Sequence, residues 1–104
     1  MKNKMVLFYV PFPSEKSASK ILTQLLENKI AVCIQIQAVA SKYLWNNKIS
    51  KAKEWVSIIK SNKQNRKQVI QFIKEHHPYE IPCIIELDAC VNKKYASWMN
   101  SMLN

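Results

Sequence analysis

Along this chain the spacing of hydrophobic residues changes repeatedly between the period of a β-strand and that of an α-helix, which limits the possible folds. Met5–Val10 is a short apolar run bounded by prolines, which predicts a buried strand. Ser14 then offers an N-cap for an amphipathic helix that ends near Asn28-Lys29, where asparagine is expected to take the left-handed cap position. The apolar face of this helix consists of Ala18, Ile21, Leu22, Leu25 and Leu26.

The next two segments predict a long β-hairpin. Apolar and polar residues alternate in Ile30–Trp45, and Ile49–Ile59 follows as the partner strand. Asn46-Asn47 between them suits a tight turn, because asparagine tolerates a positive φ. This hairpin is longer than a small two-layer domain needs. It also carries Tyr43 and Trp45, and exposed aromatic residues on an unpaired strand favour association.

A second helix and a fourth strand complete the pattern. Asn62 is expected to cap the helix and Pro78 to end it, and Ile81–Leu87 predicts a strongly apolar strand. Asn92 is expected to cap a short last helix, whose apolar residues are Tyr95, Trp98, Met99 and Met102. The order β-α-β-β-α-β plus a C-terminal helix predicts an α+β, ferredoxin-like fold in a single domain over residues 1–104. In that fold an antiparallel sheet carries two helices on one face.

The composition excludes several classes of site. Glycine is absent from all 104 residues, which excludes glycine-dependent phosphate loops such as GxGxxG and the P-loop. Cys33, Cys83 and Cys90 are odd in number and form no CxxC motif, which disfavours a disulfide framework and a structural zinc site. The apolar run Met5–Val10 is too short for a signal peptide, and no run is long enough for a membrane span. We therefore expect a cytoplasmic protein.

The charge of the chain bears on its partners. The formal net charge is +9, from 16 Lys and Arg against 7 Asp and Glu, but Arg66 is the only arginine. Proteins that read nucleic acid rely on the bidentate contacts of arginine, so the sequence disfavours nucleic acid as the partner. A basic nucleic-acid-binding module remains an alternative, since RNA-recognition modules have the same strand order and the lysines of the second helix could bind phosphates.

Three segments resemble the CutA-type divalent-cation tolerance proteins. They are AVCIQI at Ala31–Ile36, SKYLWNNKI at Ser41–Ile49 and HPYEIP at His77–Pro82, of which the last is the most specific. Glu54 and Lys60 also occur where that family tends to have Glu and Lys. The chain departs from the family at Asn47, where glycine is usual, and at Gln37-Ala38, where Pro-Gly is usual.

The resemblance implies a PII/CutA-like homotrimer that binds divalent metal, copper(II) above all, in a role tied to metal-ion tolerance. It implies Cys33 and His77 as metal-associated residues, with the carboxylate of Glu54 nearby. Imidazole suits Cu(II), whereas thiolate favours Cu(I) or zinc. From the residues alone, a small buried hydrophobe at Cys33 is favoured over a tight metal ligand, and His77 is a candidate for a hydrogen-bonding role.

Other functions find less support in the sequence. No motif specifies a reaction, so we expect no enzyme activity, although a Cys/His pair can perform nucleophilic chemistry. His76 is expected to complement the end of the second helix rather than bind a ligand. A trimeric scaffold or signalling protein without tight metal binding remains an alternative.

Overall fold

The computed structural model describes residues 3–104, so Met1 and Lys2 of the predicted domain lie outside the described part. Four strands form one antiparallel sheet in the order β2-β3-β1-β4, which confirms the predicted ferredoxin-like fold. No helix within the described residues is long and apolar enough to cross a membrane. In chain order the elements are β1 (Asn3–Phe12), α1 (Glu15–Glu27), β2 (Cys33–Trp45), β3 (Lys48–Ser61), α2 (Arg66–His76), β4 (Ile85–Val91) and α3 (Lys93–Met102).

The first helix begins after the predicted N-cap, but the left-handed residue at its end is one position later than predicted. The hydroxyl oxygen of Ser14 accepts a hydrogen bond of 3.0 Å from the backbone N–H of Ser17, which caps α1. The left-handed residue after the helix is Lys29, with φ of 56°, and not Asn28 as predicted. Asn28 stays at φ of −88°, because its backbone N–H still donates to the carbonyl oxygen of Gln24 at 3.0 Å, in the pattern of the helix.

The hairpin confirms its predicted turn. Asn46 and Asn47 have φ of 50° and 60°, the combination that a two-residue type I′ turn requires. Strands β2 and β3 pair along their whole length, from Cys33 opposite Lys60 to Trp45 opposite Lys48.

The cap before the second helix differs from the prediction. Asn62 does accept a capping bond from the N–H of Asn65, but it caps a short 3₁₀ turn that precedes α2.

The fourth strand lies later in the sequence than predicted. Strand β4 begins at Ile85 rather than Ile81 and continues to Val91. Pro82 has no N–H to donate to a ladder, so the apolar residues around it form an irregular loop instead.

The two faces of the sheet differ in how they are covered. Alternate residues of β1 are fully buried beneath α1 and α2, in a core formed by Val6, Phe8, Val10, Phe12, Leu22, Leu25, Val69 and Ile73. The opposite face, here called the open face, carries apolar side chains that are 37 to 49% exposed, namely Tyr9, Ile58, Ile85 and Leu87. Helix α3 covers only part of this face, where Nζ of Lys60 lies 5.7 Å from the ring centroid of Tyr95.

Candidate functional site

His77 is fixed by hydrogen bonds at both ring nitrogens. It follows directly on α2, and its Nε2 lies 2.7 Å from the carbonyl oxygen of Pro11. Its Nδ1 accepts a bond of 3.0 Å from the backbone N–H of Tyr79. A carbonyl can only accept and an amide N–H can only donate, so the proton is on Nε2 and the ring is neutral.

The surroundings of His77 favour this neutral form. The ring stacks on Phe12, with centroids 4.4 Å apart, and Tyr79 lies on its other side at 5.0 Å. Burial against these rings lowers the pKa of His77 below its ordinary value of 6.5, against the opposing effects of the Pro11 hydrogen bond and the Glu54 charge. Protonation at Nδ1 would also remove the acceptor of the Tyr79 N–H.

Tyr79 connects the loop after α2 to Glu54 on β3. Its hydroxyl donates to Oε2 of Glu54 at 2.9 Å. Burial, this hydrogen bond and the negative charge of Glu54 raise the pKa of Tyr79 to about 12. Glu54, Tyr79 and His77 therefore form one continuous group, and His77 joins it to the end of β1 through Pro11.

Cys33 lies elsewhere on the same sheet. It is half-buried at the start of β2, on the open face and directly opposite Lys60. Glu54 pairs with Val39, six residues further along β2, which places Cys33 about 20 Å from the level of Glu54. Within a single chain, His77 is therefore linked to Glu54 through Tyr79, whereas Cys33 lies far from both.

A single chain holds no ready-made metal site in the part that the structure describes. Residues 3–104 contain no group of three or more His, Cys, Asp or Glu side chains that could hold an ion. Both nitrogens of His77 and one carboxylate oxygen of Glu54 already have partners within the chain. The three predicted ligands could meet around one ion only if another copy of the chain contributes some of them.

The structure also places the remaining histidine, the two other cysteines and Tyr79. His76 lies in the last turn of α2, stacked on Phe72, as expected for a residue at the end of a helix. Cys83 and Cys90 are free and exposed. The sequence did not predict the hydrogen bond of Tyr79 to Glu54, because the two residues lie 25 positions apart. The HPYEIP segment that contains Tyr79 was the one available signal.

Comparison with known proteins agrees with this fold and with the family resemblance of the sequence. The sequence model of the family described as CutA1 divalent ion tolerance protein matches residues 6–102. The divalent-cation tolerance protein CutA of Thermococcus kodakarensis is 35% identical over 94% of this chain and 95% of its own.

Solved structures give the same result. The divalent ion tolerance protein CutA1 of Ehrlichia chaffeensis superposes with a TM-score of 0.91, at 33% identity over 98% of this chain and 96% of its own. The periplasmic divalent cation tolerance protein CutA of Archaeoglobus fulgidus gives a TM-score of 0.92, at 29% identity over 96% and 99%. The chain therefore belongs to the CutA1 divalent ion tolerance protein family.

Proposed function

We propose that this protein is a cytoplasmic homotrimer that binds divalent metal ions, copper in particular, with ligands contributed by different subunits. One observation carries the proposal. Cys33 and Glu54 lie at opposite ends of the same open face, and the apolar side chains between them are exposed in the single chain. Contacts between copies that cover this face would also bring the Cys33 end of one copy toward the Glu54 end of another.

The surface of the single chain supports assembly. Tyr9 and Ile58 are cross-strand neighbours on the open face, and Ile85 and Leu87 extend the same apolar patch onto β4. Patches of this kind mark interfaces in soluble proteins. Strands β2 and β4 are the two edges of the sheet, and an unpaired edge offers backbone groups to another chain.

The donor set determines which ions such a site would prefer. A thiolate from Cys33 favours Cu(I) or zinc, whereas the imidazole of His77 and the carboxylate of Glu54 suit Cu(II). Nδ1 of His77 carries the lone pair of the ring, which accepts from the N–H of Tyr79, so coordination there would replace that hydrogen bond. Glu54 retains one oxygen, Oε1, that makes no hydrogen bond to Tyr79.

Copper titration with matched controls tests this assignment. Calorimetry should show that Cys33→Ser, Glu54→Gln and His77→Ala each weaken copper binding at least about tenfold relative to wild type. Cys90→Ser and His76→Ala serve as controls, since they remove an exposed thiol and an exposed imidazole outside the site. Equal affinity in all five variants would remove the three residues from any copper site.

The second candidate is a trimeric scaffold that binds no metal tightly and catalyses no reaction. The hydrogen bonds at both nitrogens of His77 favour it, because they give the ring a structural role without an ion. In that case wild type would bind copper no better than His77→Ala, while both proteins would have the mass of a trimer.

A further inference from the structure

We propose that Tyr79 masks the donor atoms of both His77 and Glu54, so that coordination of a metal ion there requires Tyr79 to move aside. The inference rests on the proposed metal-binding function and concerns the regulation of that same site. Two groups of Tyr79 form the mask. Its backbone N–H donates to Nδ1 of His77 at 3.0 Å, and its hydroxyl donates to Oε2 of Glu54 at 2.9 Å.

His77 has the orientation of a metal ligand. Its Nε2 bears the proton and donates it to the carbonyl oxygen of Pro11 at 2.7 Å, while the ring stacks on Phe12. Metal-binding histidines usually donate their second ring N–H to a carbonyl or a carboxylate, which fixes the tautomer and the direction of the ring. The lone pair of Nδ1 is fixed in the same way here, and the N–H of Tyr79 is the partner that it has within residues 3–104.

Glu54 is the second masked donor. Its negative charge acts on the imidazole of His77, where it opposes the lowering of the His77 pKa by burial. The ring of Tyr79 lies beside the imidazole, with centroids 5.0 Å apart, and its hydroxyl contacts the carboxylate. The side chain of Tyr79 therefore spans from one donor group to the other, and its removal leaves a half-buried imidazole and a half-buried carboxylate next to an open space.

The loop that carries Tyr79 has few attachments of its own. Residues 78–84, between α2 and β4, form neither helix nor strand, and no backbone-to-backbone hydrogen bond holds them in the part of the chain that the structure describes. Ile81 is 76% exposed, whereas Ile84 packs against the core and anchors the far end of the loop. Segments with so few buried contacts open locally at a small cost in free energy. Moving Tyr79 aside therefore breaks its two hydrogen bonds and leaves the sheet and the core intact.

This arrangement predicts the sign of a mutational effect. When only a fraction of the molecules has the binding-competent arrangement, the apparent affinity is reduced by that fraction. Tyr79→Phe keeps the ring and the N–H but releases Oε2 of Glu54, so it should tighten copper binding by about tenfold, the equivalent of one hydrogen bond. If Tyr79 instead helped to hold the ion or to orient its ligands, the same substitution would weaken binding.

Calorimetric titration with copper tests the mask at one fixed chain concentration. Tyr79→Phe should bind more tightly than wild type, and Tyr95→Phe should bind equally, because the hydroxyl of Tyr95 makes no hydrogen bond within residues 3–104. The gain should disappear in a Glu54→Gln background, since the carboxylate that Tyr79→Phe releases is then absent.

Hydrogen exchange measured by NMR follows the other half of the mask without any substitution. The amide proton of Tyr79 should be protected in the metal-free protein and should exchange faster at saturating zinc, which is diamagnetic, because Nδ1 of His77 is then no longer its acceptor.

The possible results separate the mask from the metal site. Copper binding by Tyr79→Phe that is equal to or weaker than that of wild type, or unchanged exchange of the Tyr79 amide at saturating zinc, would overturn the mask. The copper site would survive that result if His77→Ala and Glu54→Gln still weakened binding. Undetectable binding by wild type and by Tyr79→Phe would overturn the mask and the metal-binding function together. Detectable binding by Tyr79→Phe alone would support both.

Discussion

Replacing Tyr79 by Phe should destabilise the protein by about 1 to 2 kcal/mol. The substitution removes the hydroxyl that donates to Oε2 of Glu54 at 2.9 Å and leaves the ring in place beside His77. A hydrogen bond to a charged group contributes about 1.5 to 3 kcal/mol, and we reduce this to about 1 to 2 kcal/mol because the pair is only partly buried and solvent screens it.

Urea denaturation followed by circular dichroism measures this loss. With a slope of about 1 to 3 kcal/mol per molar urea, the midpoint should fall by roughly 0.3 to 2 M. Wild type and variant must be compared at one chain concentration, because assembly adds to the apparent stability. Tyr95→Phe is the matched control, since the hydroxyl of Tyr95 makes no hydrogen bond within residues 3–104.

A double-mutant cycle identifies the partner. If Tyr79 acts through Glu54, then Tyr79→Phe in a Glu54→Gln background should cost less than in wild type, because the charged acceptor has already been removed. Equal costs in the two backgrounds, or a wild-type midpoint in Tyr79→Phe, would refute the connection between the loop and β3.

Three further predictions follow from single contacts. The lowered pKa of His77 means that the unfolded chain binds its proton more readily, so the free energy of unfolding should fall as pH drops below 6.5. His77→Gln should lessen this fall, as urea denaturation at a series of pH values would show. Lys29→Gly should raise the free energy of unfolding, measured by urea denaturation, by about 0.5 to 1 kcal/mol, because Lys29 holds φ of 56°. Ser57→Ala should lower the free energy of unfolding by about 1 kcal/mol, because it removes the buried 2.8 Å hydrogen bond from the Ser57 hydroxyl to the Val10 carbonyl. Calorimetric melting measures this loss.

Local signals made most of the fold predictable. The spacing of Leu22 and Leu25 placed α1, and Asn46-Asn47 placed the hairpin turn, because both signals act within a few residues. The predicted start of β4 was wrong because the segment Ile81–Leu87 contains both an apolar run and a proline. The pairing of β4 with β1 decides which of these residues belong to the strand. The run alone does not contain that information.

The site was less predictable because its contacts are distant in sequence. His77 bonds to Pro11, 66 residues away, and this carbonyl is what fixes the proton of the ring on Nε2. The separation of Cys33 from Glu54 depends on the register of β2 with β3, which becomes readable only after the strands are paired. Family resemblance correctly named the family, but it could not give the arrangement of these side chains in one chain.

The mass of the protein in solution tests the central claim that other copies cover the open face. Light scattering over a range of concentrations should give three times the 12.2 kDa of one chain. Ile58→Asp, which places a charge in the middle of the exposed apolar patch, should reduce that mass. A wild-type mass of 12.2 kDa at every concentration would contradict the account, because Cys33 and Glu54 would then remain apart.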